Sequence, residues 1–370
     1  MSSKLAKLTD YKEVLNTIGK SEFSDEGLVN LIKVLQANFT KNRDSISEYH
    51  DSSDLVAAYA AFYLPSNLKK LGFCFRMLKQ KLPEEKKDVH FIDIGCGPGT
   101  ASLAWCLSLE ENDLPDSLTL VDKSKEMLKV AERIFSVFFP TIKVSYLSAE
   151  GFRCLERGQL PEKKFMFFAN SFNEMGGSEF INMVKKFSPQ FLGVLEPGTH
   201  AAFHHLISYK ESIESLEYSI KYPCLKPNTK CPIDKKDWCH QVIRVKNDPS
   251  FERLCQKVKV DRRSLPFVFH FYIKSSKNLE NDKNLTSKDD ELVGRVIQFL
   301  GKNKVSYRWR VCVPSSYGSD DSKLELIEIE LMRRSLAKKE EKNLENLPVG
   351  GDFRFKIEKE LSKNKFRVTL

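Results

Sequence analysis

The stretch Val89-His90-Phe91-Ile92-Asp93-Ile94-Gly95-Cys96-Gly97-Pro98-Gly99-Thr100 constrains the fold more than any other part of the chain. An apolar run ends at Asp93, and glycines follow at alternate positions 95, 97 and 99. Thr100, Ala101, Ser102, Leu103, Ala104 and Trp105 then open a plausible helix. A strand, a tight glycine turn and a helix N-terminus let backbone approach a ligand closely. A dinucleotide fingerprint G-x-G-x-x-G counted from Gly95 would need glycine at position 100, where Thr100 stands. The alternative without function is a glycine turn that binds nothing. Three spaced glycines carry an entropic cost, which weighs against it.

The segments around this turn alternate. Strands are expected at Ser117–Val121, Ile142–Leu147, Lys164–Phe172 and Phe191–Leu195, with a helix over Glu126–Phe138 and another from Ala201 to Ile220. This order predicts an α/β doubly wound, Rossmann-like parallel sheet. Leu28, Leu31, Ile32 and Leu35 recur at helix spacing, as do apolar residues from Leu55 to Leu82 with a break at Pro65, so residues 1–82 form an N-terminal helical region. The Rossmann-like domain takes 83–220, a cysteine-rich segment 221–264, and C-terminal strands with a basic tail 265–370. In that last part Phe267–Lys274, Val305–Val313 and Leu324–Met332 read as strands of a small β-unit. Ser275–Asp290 reads as a loop, Arg333–Glu345 as a solvated helix and Lys356–Arg367 as a frayed basic tail.

Asp122 comes at the end of the second strand, 23 positions after Gly99. A carboxylate there can accept from two ribose hydroxyls or cap the following helix, and both can hold. Asn173 and Glu174 follow the fourth strand, where ligands of open sheets bind. No catalytic residue is identifiable.

Nine cysteines in a chain without a secretory segment point to reduced thiols or metal ligands rather than disulfides. Cys74, Cys106 and Cys154 lie on apolar periodic segments and read as buried hydrophobes. Cys224, Cys231 and Cys239 fall on a Pro- and Trp-rich stretch at C-x6-C and C-x7-C spacing, suited to a soft metal or an iron–sulfur cluster. Without a C-x-x-C knuckle a zinc ribbon is not indicated. Candidates for a fourth ligand are His240, Cys255 and Cys312. Lys+Arg 59 against Asp+Glu 50, a net +9, permits an acidic partner such as RNA without requiring one. No run of eighteen apolar residues occurs, so no membrane partner is expected, and Met1–Lys20 lacks the features of a presequence, so a cytoplasmic location is expected.

The D-x-G-x-G-x-G turn resembles motif I of class I S-adenosylmethionine-dependent methyltransferases. Five patches together resemble the methyltransferase-like family associated with assembly of the mitochondrial small ribosomal subunit, including its bacterial relatives. They are Leu64-Pro65-Ser66-Asn67, Asp93–Thr100, Ser171–Met175, Glu196-Pro197-Gly198-Thr199 and Cys224 through His240. The chain departs from the family at Leu64–Asn67, where members often read Met-Pro-Ala-Thr, and at Gly350-Gly351-Asp352, where they have Trp-Gly-Asp. The resemblance implies S-adenosylmethionine held at Asp93, Gly95, Gly97, Gly99 and Asp122. It implies a 4Fe-4S cluster on Cys224, Cys231, Cys239 and Cys312, with zinc as the alternative. The implied partner is the small ribosomal subunit and its rRNA, with the chain monomeric off the ribosome and the mitochondrial matrix as an alternative compartment. The expected function is a methyltransferase-like, iron–sulfur protein of ribosome assembly. The alternatives are an RNA-binding assembly factor without turnover and a small-molecule methyltransferase with structural zinc.

Overall fold

A computed structural model describes residues 2–41, 52–79, 89–275, 291–314, 323–345 and 347–370. The helices in order are α1 Ser2–Thr9, α2 Tyr11–Thr17, α3 Asp25–Lys41, α4 Ser53–Lys79, α5 Thr100–Ser108, α6 Lys125–Phe138 and α7 Ala149–Cys154. They continue as α8 Phe172–Met175, α9 Gly177–Phe187, α10 His200–Ser208, α11 Lys210–Glu214, α12 Pro249–Val258 and α13 Lys338–Glu345. The strands are β1 His90–Ile94, β2 Ser117–Asp122, β3 Lys143–Ser148, β4 Lys164–Ala169, β5 Phe191–Pro197, β6 Tyr218–Tyr222 and β7 Gln241–Arg244. Then come β8 Ser264–Lys274, β9 Leu292–Lys302, β10 Ser306–Pro314, β11 Leu324–Met332, β12 Asp352–Ser362 and β13 Lys365–Thr369. Among the described residues no helix is long and apolar enough to cross a membrane.

The chain divides into two units, Met1–Val194 with Arg244–Leu265, and Leu195–Ile243 with Pro266–Leu370. The first holds strands in the order β3-β2-β1-β4-β5. β1 pairs parallel with β2 and β4, and β2 with β3, as the alternating pattern predicts. Every residue of β1 is buried, which suits a central strand covered on both faces. α6 buries Met127, Val130, Ala131, Ile134, Phe135 and Phe138, one apolar stripe, and Ser124 caps it by accepting from Met127 N–H. α4 runs unbroken through Pro65, although a break was expected there. The ring forfeits a single intrahelical donor, and the burial of Leu64, Leu68, Leu71, Phe75 and Leu78 outweighs that loss.

In the second unit β6 pairs antiparallel with β8, and β7 also pairs with β8. The expected helix to Ile220 stops early. α11 ends at Glu214, and Tyr218, Ile220 and Tyr222 alternate buried with half-buried neighbours, a period of two that only a strand satisfies. The C-terminal region is a closed barrel, β10-β11-β13-β12-β9, with β11 and β13 parallel, the other pairs antiparallel, and α13 between β11 and β12 in sequence. That is the Greek-key connectivity of an OB barrel. Residues 356–367 are therefore not a frayed tail but two barrel strands. Phe355, Phe366 and Val368 join Tyr307, Trp309, Val311 and Ile329 in its core. Cys154 is exposed, contrary to expectation, while Cys74 and Cys106 are buried. Residues 276–290 of the expected loop, and the 82/83 boundary, lie outside the described residues.

Candidate functional site

The parallel register brings the carboxyl ends of β1, β2 and β4 level, Ile94 standing opposite Val121 and Phe168. The glycine turn leaves β1 there. Gly95 N–H and Cys96 N–H donate to Val121 carbonyl at 2.8 and 3.0 Å, and Gly97 N–H donates to Asp122 Oδ2 at 2.8 Å. Gly95, Gly97 and Gly99 all have positive φ, 68°, 53° and 78°. A Cβ at Gly95 would lie 2.4 Å from Ser171 Cβ, and one at Gly99 3.0 Å from the Phe135 ring. At Gly97 the nearest atom would be Tyr59 Cε1, 3.8 Å away. Gly95 and Gly99 thus answer to packing, whereas a side chain on Gly97 would meet only ordinary contact.

Asp93 is fully buried behind the turn. Its Oδ2 accepts from Ser102 N–H at 3.0 Å and Ser102 Oγ at 2.9 Å, fixing the start of α5, while Oδ1 is buried without a partner. Burial pushes its pKa up to about 7, against the pull of the Ser102 bonds. Asp122 is also raised by burial, opposed by the Ser124 and Gly97 N–H groups. It does not cap α6; Ser124 does, and Asp122 Oδ1 accepts from Ser124 N–H.

Tyr59, which sequence patterns did not single out for this site, edges the same opening. Tyr59, from α4, has its hydroxyl pKa raised by burial first and then by Tyr63, Glu174 and Asp122. Arg262 lies over the rings of Phe62 and Tyr63, at 5.2 and 4.8 Å, with Nε buried and unbonded. The only sequence signal for Arg262 was its place in a short basic run. Glu174 pairs with Lys123 at 3.6 Å.

The cysteine segment and the barrel build a second site, in the second unit. Cys224, Cys231, Cys239 and Cys312 line one cavity, walled by Phe203, Ile207, Leu225, Ile233, Ile297 and Leu324. Of the three candidates for a fourth ligand, only Cys312 lines it. His240 stacks on Trp238 at 4.9 Å, and Cys255 is buried on α12 in the other unit. Burial pushes the Cys224 thiol up to about 12 and the Cys231 thiol up to about 11, and holds Cys312 well above its usual range. Among the described residues no group of three or more His, Cys, Asp or Glu side chains could hold a metal ion. The four sulfurs of the expected ligand set reach one cavity without forming a closed single-ion site.

Comparison with curated proteins found no match. Among solved structures, a Listeria monocytogenes protein assigned to class I S-adenosylmethionine-dependent methyltransferases is 12% identical, covering 76% of this chain and 91% of its own, with a TM-score of 0.41. Magnesium protoporphyrin IX methyltransferase from Synechocystis with bound S-adenosylmethionine is 10% identical over 69% of this chain and 99% of its own, TM-score 0.36. These likenesses are remote. A family model matches directly and over most of the chain: residues 53–317 fit the family described as mitochondrial small ribosomal subunit Rsm22, and this chain belongs to that family.

Proposed function

We propose that the protein is a methyltransferase-like factor of the mitochondrial small ribosomal subunit that binds S-adenosylmethionine at the glycine turn. The observation that carries this reading is the glycine turn at the level carboxyl ends of β1, β2 and β4, where a Cβ on Gly97 would meet nothing closer than Tyr59 at 3.8 Å, in a chain that fits the family over residues 53–317. Gly97 and Asp122 would face the cofactor, whereas Asp93 would act from behind by holding Ser102. The family description favours a mitochondrial compartment over the cytoplasmic one expected from the N-terminal residues. The substrate or partner proposed is the small subunit or its rRNA. A factor that binds without turnover is favoured by one feature: the segment after β4 offers Asn173 and a Glu174 already paired with Lys123.

We also propose that Cys224, Cys231, Cys239 and Cys312 hold a 4Fe-4S cluster. The donor set supports it, four sulfurs around one mainly apolar cavity. When bound, such a cluster would supply cross-linking of the cysteine segment to β10, or electron transfer.

Calorimetric titration with S-adenosylmethionine should show binding to the parent and none to Gly97→Arg, whose side chain would fill the opening. No heat with the parent would reject the cofactor site. Protein purified without oxygen should be brown, Cys312→Ser should lose its iron and Cys255→Ser should keep it. Colourless parent protein carrying stoichiometric zinc would reject the cluster.

A further inference from the structure

The outer face of the barrel carries a cross-strand row that the cysteine pattern does not announce. Asp352 on β12 stands opposite Arg295 on β9, and Arg295 stands opposite Cys312 on β10. Residues directly opposed across antiparallel strands share a face, with Cβ atoms about 4.5–5.5 Å apart. The fold thus sets a guanidinium beside the fourth cysteine by register alone. Arg295 lines the cysteine cavity and is 3% exposed.

Its partners leave it incompletely satisfied. Nη1 donates to Asp352 Oδ1 at 3.1 Å and Nη2 to Tyr222 Oη at 2.6 Å, with the guanidinium 4.6 Å over the Tyr222 ring. Nε is buried and donates to nothing. Asp352 is 43% exposed, so its charge is partly screened by solvent. Lys210, the other buried cation of this region, is already held by Glu214 Oε2 at 2.7 Å and Thr229 carbonyl at 2.8 Å. A cation with a spare donor against an apolar wall is costly unless an anion arrives.

Four thiolates are that anion. Deprotonated to hold a cluster, the four thiolates would carry more negative charge than its core cancels. Resting on the cluster reading above, we infer that Arg295 is the positioning residue that matches the charge of the occupant of the cysteine cavity and hydrogen-bonds its sulfur. Tyr222 and Asp352 hold the guanidinium in place, and Tyr222 is itself tied to Gln241.

The test uses the full chain loaded with iron and sulfide, and reads iron retention against a chelator and the midpoint potential. Arg295→Met should hold iron roughly 10–100-fold more weakly, as loss of an outer-shell partner does, and its potential should fall, since a positive charge beside the cluster favours the reduced form. Arg295→Lys should recover much of the potential. Asp352→Asn should move the potential up, because it removes opposing charge while leaving Arg295. A merely structural Arg295–Asp352 pair would shift both variants the same way, and that outcome overturns the inference. So does an unchanged potential in fully loaded Arg295→Met. If Arg295→Met does not fold, Asp352→Asn decides: a rise supports the inference, and no change or a fall overturns it. A parent that takes up no iron instead rejects the cluster reading itself.

Discussion

Gly95→Ala should lower the stability of the protein by about 2–5 kcal/mol, the sum of a left-handed backbone penalty and an overpacking penalty. Gly97→Ala should cost only about 1–2 kcal/mol. Both residues have positive φ, so the backbone penalty is common to the two. The difference is what a Cβ meets. At Gly95 it meets Ser171 Cβ at 2.4 Å, and Ser171 cannot retreat easily because its Oγ donates to Ile94 carbonyl beside the turn. At Gly97 it meets only the Tyr59 ring edge, at an ordinary contact distance of 3.8 Å. Urea denaturation of the two variants and the parent measures this. Equal losses would mean that the glycines serve one packing role and that the opening over Gly97 has no separate use.

How much of this could be read in the sequence depends on whether a residue's partners are near it in the chain. The turn and its strands were legible because each strand is a short apolar run with its own boundary, and the glycines are spaced for one local conformation. The reach of Cys312 to Cys224, Cys231 and Cys239 was implied only by family resemblance, and the strand register of the barrel supplies its physical basis. The closure of that barrel was not legible. β12 alternates weakly, with Phe353, Phe355 and Ile357 among five lysines, arginines and glutamates from Arg354 to Glu360, so a basic tail and a barrel strand look alike until Phe366 and Val368 are seen in the core. Arg295 carried one faint signal, a charge within Leu292-Val293-Gly294-Arg295-Val296-Ile297. A buried charge in an apolar strand marks a site, but nothing local says which one. Nor could spacing reveal that 244–265 returns to the first unit and brings Arg262 against Tyr63.

The glycine turn also makes a prediction about pH. Asp93 titrates near 7 in the folded chain because burial penalises its charge and Oδ1 has no donor, against an ordinary value of 3.8. A raised acid pKa means that the folded state binds the proton more tightly than the unfolded state does. Its contribution to stability is therefore fully present below the unfolded value and is lost as pH rises through the folded one. At about 1.36 kcal/mol for each unit, the loss reaches about 4 kcal/mol above neutral pH. His90 and His270 run the other way: burial lowers them to about 4 and about 3, so they cost stability as pH falls through the ordinary histidine range. The pH profile of the parent alone mixes these signs. Asp93→Asn isolates one of them, since its amide oxygen can accept both Ser102 bonds and its shape matches the neutral acid. The variant should match the parent near pH 4 and exceed it by up to about 4 kcal/mol near pH 8. Denaturant midpoints across that range check it. Parallel curves for parent and variant would mean that Asp93 ionises normally, and hence that an unseen donor reaches Oδ1 behind the turn.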